Sequence, residues 1–249
     1  MIRVDPENPR AVQLAERLRG YLEQDQLDEK LCVVVGGDGF MLESIRAQGP
    51  AFTFLGLNAG TLGFLLNDID EVAKVGRAIH DGRYEVYDFP RLEVTIENGA
   101  AAPPPDFAVN DVYVERMTGK TANLRLTVNG VRIVDRMVTD GVVVATALGS
   151  TGYSFSAGGA ACHPLVPAIH VTPICVHTPR LPSLTLPQAA VVEIETLEQD
   201  IRPVRAVCDG ADLGPVVEIQ TRTASEGVKI AFLEGHQFTR TLVRKLIKA

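Results

Sequence analysis

One carboxylate set among three glycines, Gly36-Gly37-Asp38-Gly39, is a spacing that can do phosphoryl chemistry. Glycine lets backbone N–H groups point outward and a phosphate approach closely. A fixed negative charge beside a phosphate is repulsive, so Asp38 needs an offset, either a divalent cation or a hydroxyl hydrogen that the carboxylate accepts. The second option describes a general base for phosphoryl transfer to an alcohol. Taken alone, the four residues fit a tight turn with a solvated acid as well. A second glycine-rich turn, "NAGTLGFLL" from Asn58 to Leu66, also closes an apolar run. Asn58 and Gly60 are therefore expected beside the Asp38 turn, at the edge where open α/β sheets bind ligands. With Gly36, Gly37 and Gly39 they are the candidate phosphate-binding residues. The third block is "VTDGVVVATALGSTGYSFSAGG", residues 138 to 159. It fits a solvated loop by composition. Ser150, Thr151, Tyr153, Ser154 and Ser156 would equally supply neutral donors and acceptors around a sugar, and Tyr153 a face for a base.

These residues need strands and helices to hold them. The run Leu31-Cys32-Val33-Val34-Val35 is continuously apolar and β-branched, as a parallel strand buried on both faces should be. Phe40 to Ala47 has helical spacing, so the Asp38 glycines form a strand-to-helix turn. A helix over 9 to 22 is opened by Asn8 as N-cap and Pro9. A strand over 51 to 58 and a helix in "DIDEVAKVGRAIHDG" complete an αβαβα order, hence a parallel sheet. Beyond Pro90 come short alternating runs, "RLEVTIE", "FAVNDVYVE", "ANLRLTV", "VRIVDRMV", "GVVVAT", "AVVEIET" and "PVVEIQT", which signal an all-β unit. "AAPPPD" at 101 to 106 reads as a stiff connector and "TPRLPSLTLP" as a proline-rich loop. The last residues, "FTRTLVRKLIKA", read as an amphipathic helix with basic residues late. The expected fold is α/β plus all-β. It has a Rossmann-like parallel α/β domain at 1–89, onto which 236–249 packs back, and a β-rich, sandwich-like domain at 90–235.

At 249 residues the chain is long enough for one large domain or two modest ones. A net charge of −7 without a basic run argues against nucleic acid or an anionic membrane as partner. No apolar run reaches membrane-spanning length, and "MIRVDPENPR" lacks a signal-peptide layout, so a cytoplasmic protein is expected. Cys32, Cys162, Cys175 and Cys208 are widely spaced and read as small structural hydrophobes rather than a disulfide framework or metal site. His163, His170 and His177 have no nucleophile paired with them and read as packing or hydrogen-bonding residues. The acids at 68 to 71 suit a helix N-terminus, and Arg202 and Arg205 suit either cationic partners of a phosphate or surface ion pairs.

Order and spacing of these blocks closely resemble the NAD kinase family. Its pattern is GGDG followed by Thr or Ser, N-x-G-x-L-G-F-L, an Asn-Glu pair, D-G-x-x-x-S-T-P-T-G-S-T-A-Y-S-x-S-A-G-G, a T-P-I-x-x-H segment and a late D-G. Here the counterparts are Gly36 to Gly39, Asn58 to Leu65, Asn110-Asp111, Asp140 to Gly159, Thr172 to His177, and Asp209-Gly210. The long block at 140 to 159 is the specific one, since lipid kinase and 6-phosphofructokinase relatives share GGDG and the lipid kinases lack that block. The resemblance implies a kinase that phosphorylates the adenosine 2′-hydroxyl of NAD, using ATP or inorganic polyphosphate and a divalent metal such as Mg2+. It implies a homodimer or homotetramer, and a site in the cleft between the two domains. On this resemblance Asp38 is the proton acceptor, with Gly39 beside it, and Asn110 and Asp111 hold the adenosine portion. Asp140 contacts the nicotinamide end, and Thr151, Gly152, Tyr153, Ser154, Phe155 and Ser156 line the adenine and ribose.

Several residues depart from the pattern. Phe40 stands where a hydroxyl is usual, Asp111 replaces Glu with a side chain roughly 1.5 Å shorter, and Ala147, Leu148 and Gly152 stand where Pro, Thr and Ala are usual. Ala211 follows Asp209-Gly210 where Gln is frequent, and the segment before GGDG is short. These departures motivate an alternative, a catalytically weak NAD-binding regulatory protein on the same fold. A Rossmann-type dehydrogenase is disfavoured because no G-x-G-x-x-G follows the strand and no acid lies about 20 residues on.

Overall fold

Every residue of Leu31–Gly36 is buried, which requires a strand covered on both faces. The computed structural model describes residues 1–22, 28–60, 63–97 and 106–248. Along the chain run β1 (Ile2–Val4), α1 (Pro9–Arg19), β2 (Leu31–Gly36), α2 (Asp38–Gln48), β3 (Thr53–Asn58), β4 (Leu66–Asn67), α3 (Val72–His80) and β5 (Tyr84–Phe89). There follow β6 (Leu92–Glu97), β7 (Asp106–Ala108), β8 (Asp111–Arg116), β9 (Ala122–Val128), β10 (Val131–Thr139) and β11 (Gly141–Thr146). A 3₁₀ turn (Gly149–Thr151) leads into the short α4 (Tyr153–Ser156). Then come β12 (Ala168–Ile174), β13 (Leu184–Pro187), β14 (Val192–Leu197), β15 (Val204–Cys208), β16 (Ala211–Val216) and β17 (Glu218–Thr223). The chain closes with β18 (Val228–Leu233) and α5 (Phe238–Lys248).

The chain divides into two units, Met1–Phe89 with Glu226–Ala249, and Pro90–Ser225. In the first, the sheet order is β1-β2-β3-β18-β5, with β4 also beside β3. All pairs are parallel except β5 against β18. Ala11, Ala15 and Leu18 of α1 and Val72, Val75 and Ile79 of α3 pack with Val33, Val35, Leu55 and Leu57 into one core. Asn8 caps α1 through its side chain, and Pro9 opens it. The sequence places the returning segment at 236, but the return begins earlier. Val228, Ile230, Ala231 and Phe232 are fully buried between β3 and β5, so β18 belongs to the first unit.

The second unit is a sandwich of two antiparallel six-stranded sheets, ordered β10-β9-β14-β17-β6-β7 and β13-β12-β11-β8-β15-β16. Alternate residues from both sheets, among them Leu124, Leu126, Ile194 and Ile219 against Val112, Val114, Val142 and Val144, form its core. One run read as single from the sequence is two strands. "FAVNDVYVE" breaks at Val109-Asn110, where the chain leaves β7 in one sheet for β8 in the other. The same crossing falls at Asp140, between β10 and β11. β12, interrupted by His170 and Pro173, escapes the alternation rule because both its faces are buried, and β13 lies inside the proline-rich loop. Residues 101–105 of the expected connector lie outside the described residues. Among the described residues no helix is long and apolar enough to cross a membrane.

Candidate active site

The first group of site residues sits at the carboxyl end of β2. Gly37 is the N-cap of α2, with no side chain to satisfy the helix's first N–H groups, and Asp38 opens the helix. A carboxylate is favoured there by the helix dipole. Its oxygens accept the Phe64 N–H (Oδ1 3.1 Å, Oδ2 2.9 Å), and Oδ1 also accepts the Leu65 N–H at 3.0 Å. The Asp38 carboxylate thus ties the first glycine turn to the second, a bond not legible in the sequence because 26 residues separate the partners. The two turns are adjacent, since Gly36 pairs with Asn58 in the sheet and the Ala59 N–H donates to the Gly36 carbonyl at 2.9 Å. Thr61 and Leu62 of the second turn lie outside the described residues.

A Cβ added to Gly37 or Gly39 would meet nothing within 4 Å, and neither residue has a positive φ. Packing among the described residues therefore does not demand glycine at either position, and those residues leave the space beside both open. Gly36 differs: a Cβ there would meet the Phe40 ring at 2.9 Å. Phe40 is turned back toward β1, with Arg3 stacked over its ring at 5.6 Å. Asn58 accepts the Gly60 N–H at 2.8 Å and donates to Asp68 at 3.2 Å. A cavity of about 390 Å³ beside them is lined by Arg10 and Arg17 of α1, Ile69, Asp70 and Glu71, among others. A larger one, about 540 Å³, lies between α3 and α5 and contains none of the predicted site residues.

The second group is built where the second unit's chain crosses between sheets. Asn110 and Asp111 enter β8 there, held on one side by Thr146, whose hydroxyl donates to the Val109 carbonyl at 2.7 Å and whose N–H donates to the Asn110 carbonyl at 2.9 Å. The same hydroxyl accepts the Gly149 N–H at 3.0 Å. Gly149 lies so close that a Cβ would fall 2.0 Å from the Asn110 carbonyl oxygen, so this glycine is required by packing. A Cβ on Gly152 would come 3.6 Å from Oδ2 of Asp111. The 110–111 pair and the 149–152 loop, separate in sequence, are therefore in contact. Asp111 is 7% exposed, and burial first, then the charge of Asp209, push its carboxyl up to about 7. Tyr153 meets Tyr113 edge to face, 4.8 Å between centroids, and burial raises both phenols.

The remaining predicted residues divide. Thr151, Gly152 and Tyr153 lie at the partly exposed surface, and Phe155 is exposed. Ser156 is exposed with its hydroxyl near the Gly152 carbonyl at 3.5 Å. Ser154 is fully buried, its hydroxyl bonded to Thr172 at 2.8 Å, and Thr172 reaches Ser183 at 3.0 Å. Ser154 thus anchors α4 to β12 instead of facing outward. Asp140 pairs through Oδ1 with Arg116 at 2.7 Å. Arg205 pairs with Glu115 at 2.6 Å and with Asp212, and Arg202 with Glu198, the ion-pair alternative in both cases. His170 is buried and its Nδ1 lies 3.1 Å from the Thr185 hydroxyl. Cys32 and Cys208 are buried, whereas Cys175, against expectation, is exposed where β12 has ended in the left-handed region. Among the described residues no three His, Cys, Asp or Glu side chains are grouped to hold a metal ion. Sequence reasoning missed Tyr113 and Asp209. The first was two residues beyond a predicted pair on the same strand face, and the second was visible only as a late Asp-Gly.

A family profile described as the ATP-NAD kinase C-terminal domain matches residues 109–228. The NAD kinase of Caulobacter vibrioides is 34% identical over 237 residues, covering 91% of this chain and 87% of its own. That of Rickettsia rickettsii (strain Sheila Smith) is 30% identical over 249 residues, covering 97% and 93%. Among solved structures, an NAD kinase from Archaeoglobus fulgidus in complex with ATP superposes with a TM-score of 0.78 at 25% identity, covering 100% of this chain and 97% of its own. Yeast NADH kinase complexed with NADH gives 0.82 at 24% identity, with 99% and 85% covered, a likeness of fold.

Proposed function

The chain belongs to the NAD kinase family and is an NAD kinase, and we propose that Asp38 is its base, the adenosine 2′-hydroxyl of NAD its acceptor, and ATP or inorganic polyphosphate its donor. The observation that carries this reading is a carboxylate fixed at the uncapped N-terminus of α2 between two glycines with open space above them. The first turn of that helix, at the positive end of its dipole, suits the donor's phosphates. The carboxylate, oriented by the Phe64 and Leu65 N–H groups, suits a hydroxyl hydrogen. As the 2′-oxygen bonds to the terminal phosphorus, its proton passes to Asp38 and the bond to the rest of the donor breaks, releasing ADP or a shortened polyphosphate.

Magnesium is part of the donor substrate in this reading, since it commonly binds through substrate phosphates with few protein ligands. Gly36, Gly37, Gly39, Asn58 and Gly60 would contact phosphate, and Arg10 and Arg17 give the adjoining cavity two cations in an otherwise acidic chain. Asn110 and Asp111 would hold the adenosine, with Thr151, Gly152 and Tyr153 along the base and ribose. Asp140, whose Oδ1 pairs with Arg116, would contact the nicotinamide end. Phe155, Leu165 and Val166, exposed on the single chain, suit the homo-oligomer the family resemblance implies.

The test is NADP formation by the purified protein from NAD and magnesium with either ATP or polyphosphate, and with Asp38→Asn as control. Donor-dependent NADP that disappears in the control is expected. NADP production that survives the substitution would remove Asp38 from the mechanism.

A further inference from the structure

The turn that carries Asn110 and Asp111 is gripped on its second side by one carboxylate. Asp209, just past β15, lies in the left-handed region at φ 47°, and Gly210 follows at 83°. That backbone aims the side chain across to β8. Its Oδ2 accepts the Val109 N–H at 2.6 Å, and its Oδ1 accepts those of Asn110 at 2.9 Å and Asp111 at 3.1 Å. Its own N–H donates to the Asp111 carbonyl at 3.0 Å. Three successive amides on one carboxylate are charge-assisted bonds, stronger than neutral ones. Thr146 holds the carbonyls of the same turn and Asp209 holds its N–H groups, so the peptide planes from 109 to 111 are fixed from both sides. A left-handed non-glycine residue is disfavoured, and such conformations concentrate where function needs the geometry.

We propose that Asp209 is the positioning residue of the NAD site, setting the Asn110-Asp111 pair for the adenosine through the backbone without itself touching NAD. The inference rests on the reading that this pair holds NAD. It also carries an electrostatic signature. Asp111 is faced by Asp209 from the turn after β15, by Tyr153 from α4 and by Tyr113 on its own strand, while Glu115 and Arg205 farther along are paired with each other. Asp209 is the charge that raises Asp111.

Asp209→Asn and Asp209→Glu, made in the full-length protein, separate charge from shape. Asn keeps one acceptor and turns an NH2 toward backbone N–H, so the KM for NAD should rise about ten- to a hundredfold. The kcat should stay within a few-fold and the donor KM should not move. The acidic midpoint of kcat/KM for NAD should also fall, because the like charge beside Asp111 is gone. Asp209→Glu keeps the charge but displaces the oxygens, so the NAD KM should rise while the midpoint stays. An unchanged NAD KM in either variant overturns the proposal, as does an equal loss in NAD KM, donor KM and kcat. If the Asn variant does not fold, the Glu variant decides alone by the same criterion. Asn110→Ala serves as the reference: if it leaves the NAD KM unaltered, the NAD-site reading itself fails, and this inference with it.

Discussion

Asp38 and Asp111 are both carboxylates near a proposed substrate, and their surroundings give them opposite tasks. Asp38 is partly exposed and its carboxylate is oriented by two backbone N–H groups. Asp38→Asn should therefore lower kcat by about 10²- to 10⁴-fold, the usual contribution of a general base, with NAD affinity within a few-fold by calorimetry. Loss of affinity in parallel would make it a structural tie between the turns. Asp111 is buried with its carboxyl raised to about 7, so between about pH 4 and 7 the folded chain keeps a proton that the unfolded chain releases. Stability from this group is present below about pH 4 and is lost as pH rises through 7. Asp111→Asn should remove that slope, gaining up to about 4 kcal/mol over the parent above pH 7. Denaturant titrations of both proteins from about pH 4 to about pH 7, an interval of about three units, would expose a slope shared by the two and so refute it.

At the scale of elements, the glycine turn and α2 were legible because a buried β-branched run followed by helical spacing leaves one place for the turn. The adjacency of the two glycine turns was legible from strand order alone. The second group was legible only as motifs. Alternation marks strands but not which sheet each joins, so the crossings at 109–110 and 140 that position these residues were hidden, as was Asp209's reach over 98 to 100 residues of sequence. Ser154 was misjudged in orientation for a related reason. In a one-turn helix, only the partner strand β12 decides which hydroxyl is buried. The α2 turn offers a prediction of opposed signs. Gly39 stands in the helix with open space around it, so Gly39→Ala should raise stability by up to about 1 kcal/mol. A methyl there intrudes where phosphate is proposed to lie, so the donor KM should rise while the NAD KM holds. A variant more stable and fully active with saturating behaviour unchanged would show that no ligand approaches Gly39.

For the whole molecule, the two units differ in how the chain supplies them. Pro90–Ser225 is continuous and closes its own core from both sheets, whereas the first unit needs β18 from beyond it. β18 lies between β3 and β5, pairing Ile230 with Phe54 on one side and Val228 with Phe89 on the other. Phe232 and Phe89 pack edge to face with Phe238 of α5. Each of the buried Val228, Ile230 and Phe232 side chains contributes about 1.5 to 3 kcal/mol on burial, which a domain of marginal net stability cannot lose together. A chain ending at Ser225 should therefore leave β3 and β5 as open edges with no shared partner, and the first unit should not fold. The segment 90–225 made alone should still melt cooperatively. Limited proteolysis of the truncated chain should leave a resistant fragment beginning near Pro90, and amide exchange should find β2 unprotected. Slow exchange at Val33 to Val35 in the truncated chain would mean that the first unit closes its sheet without β18.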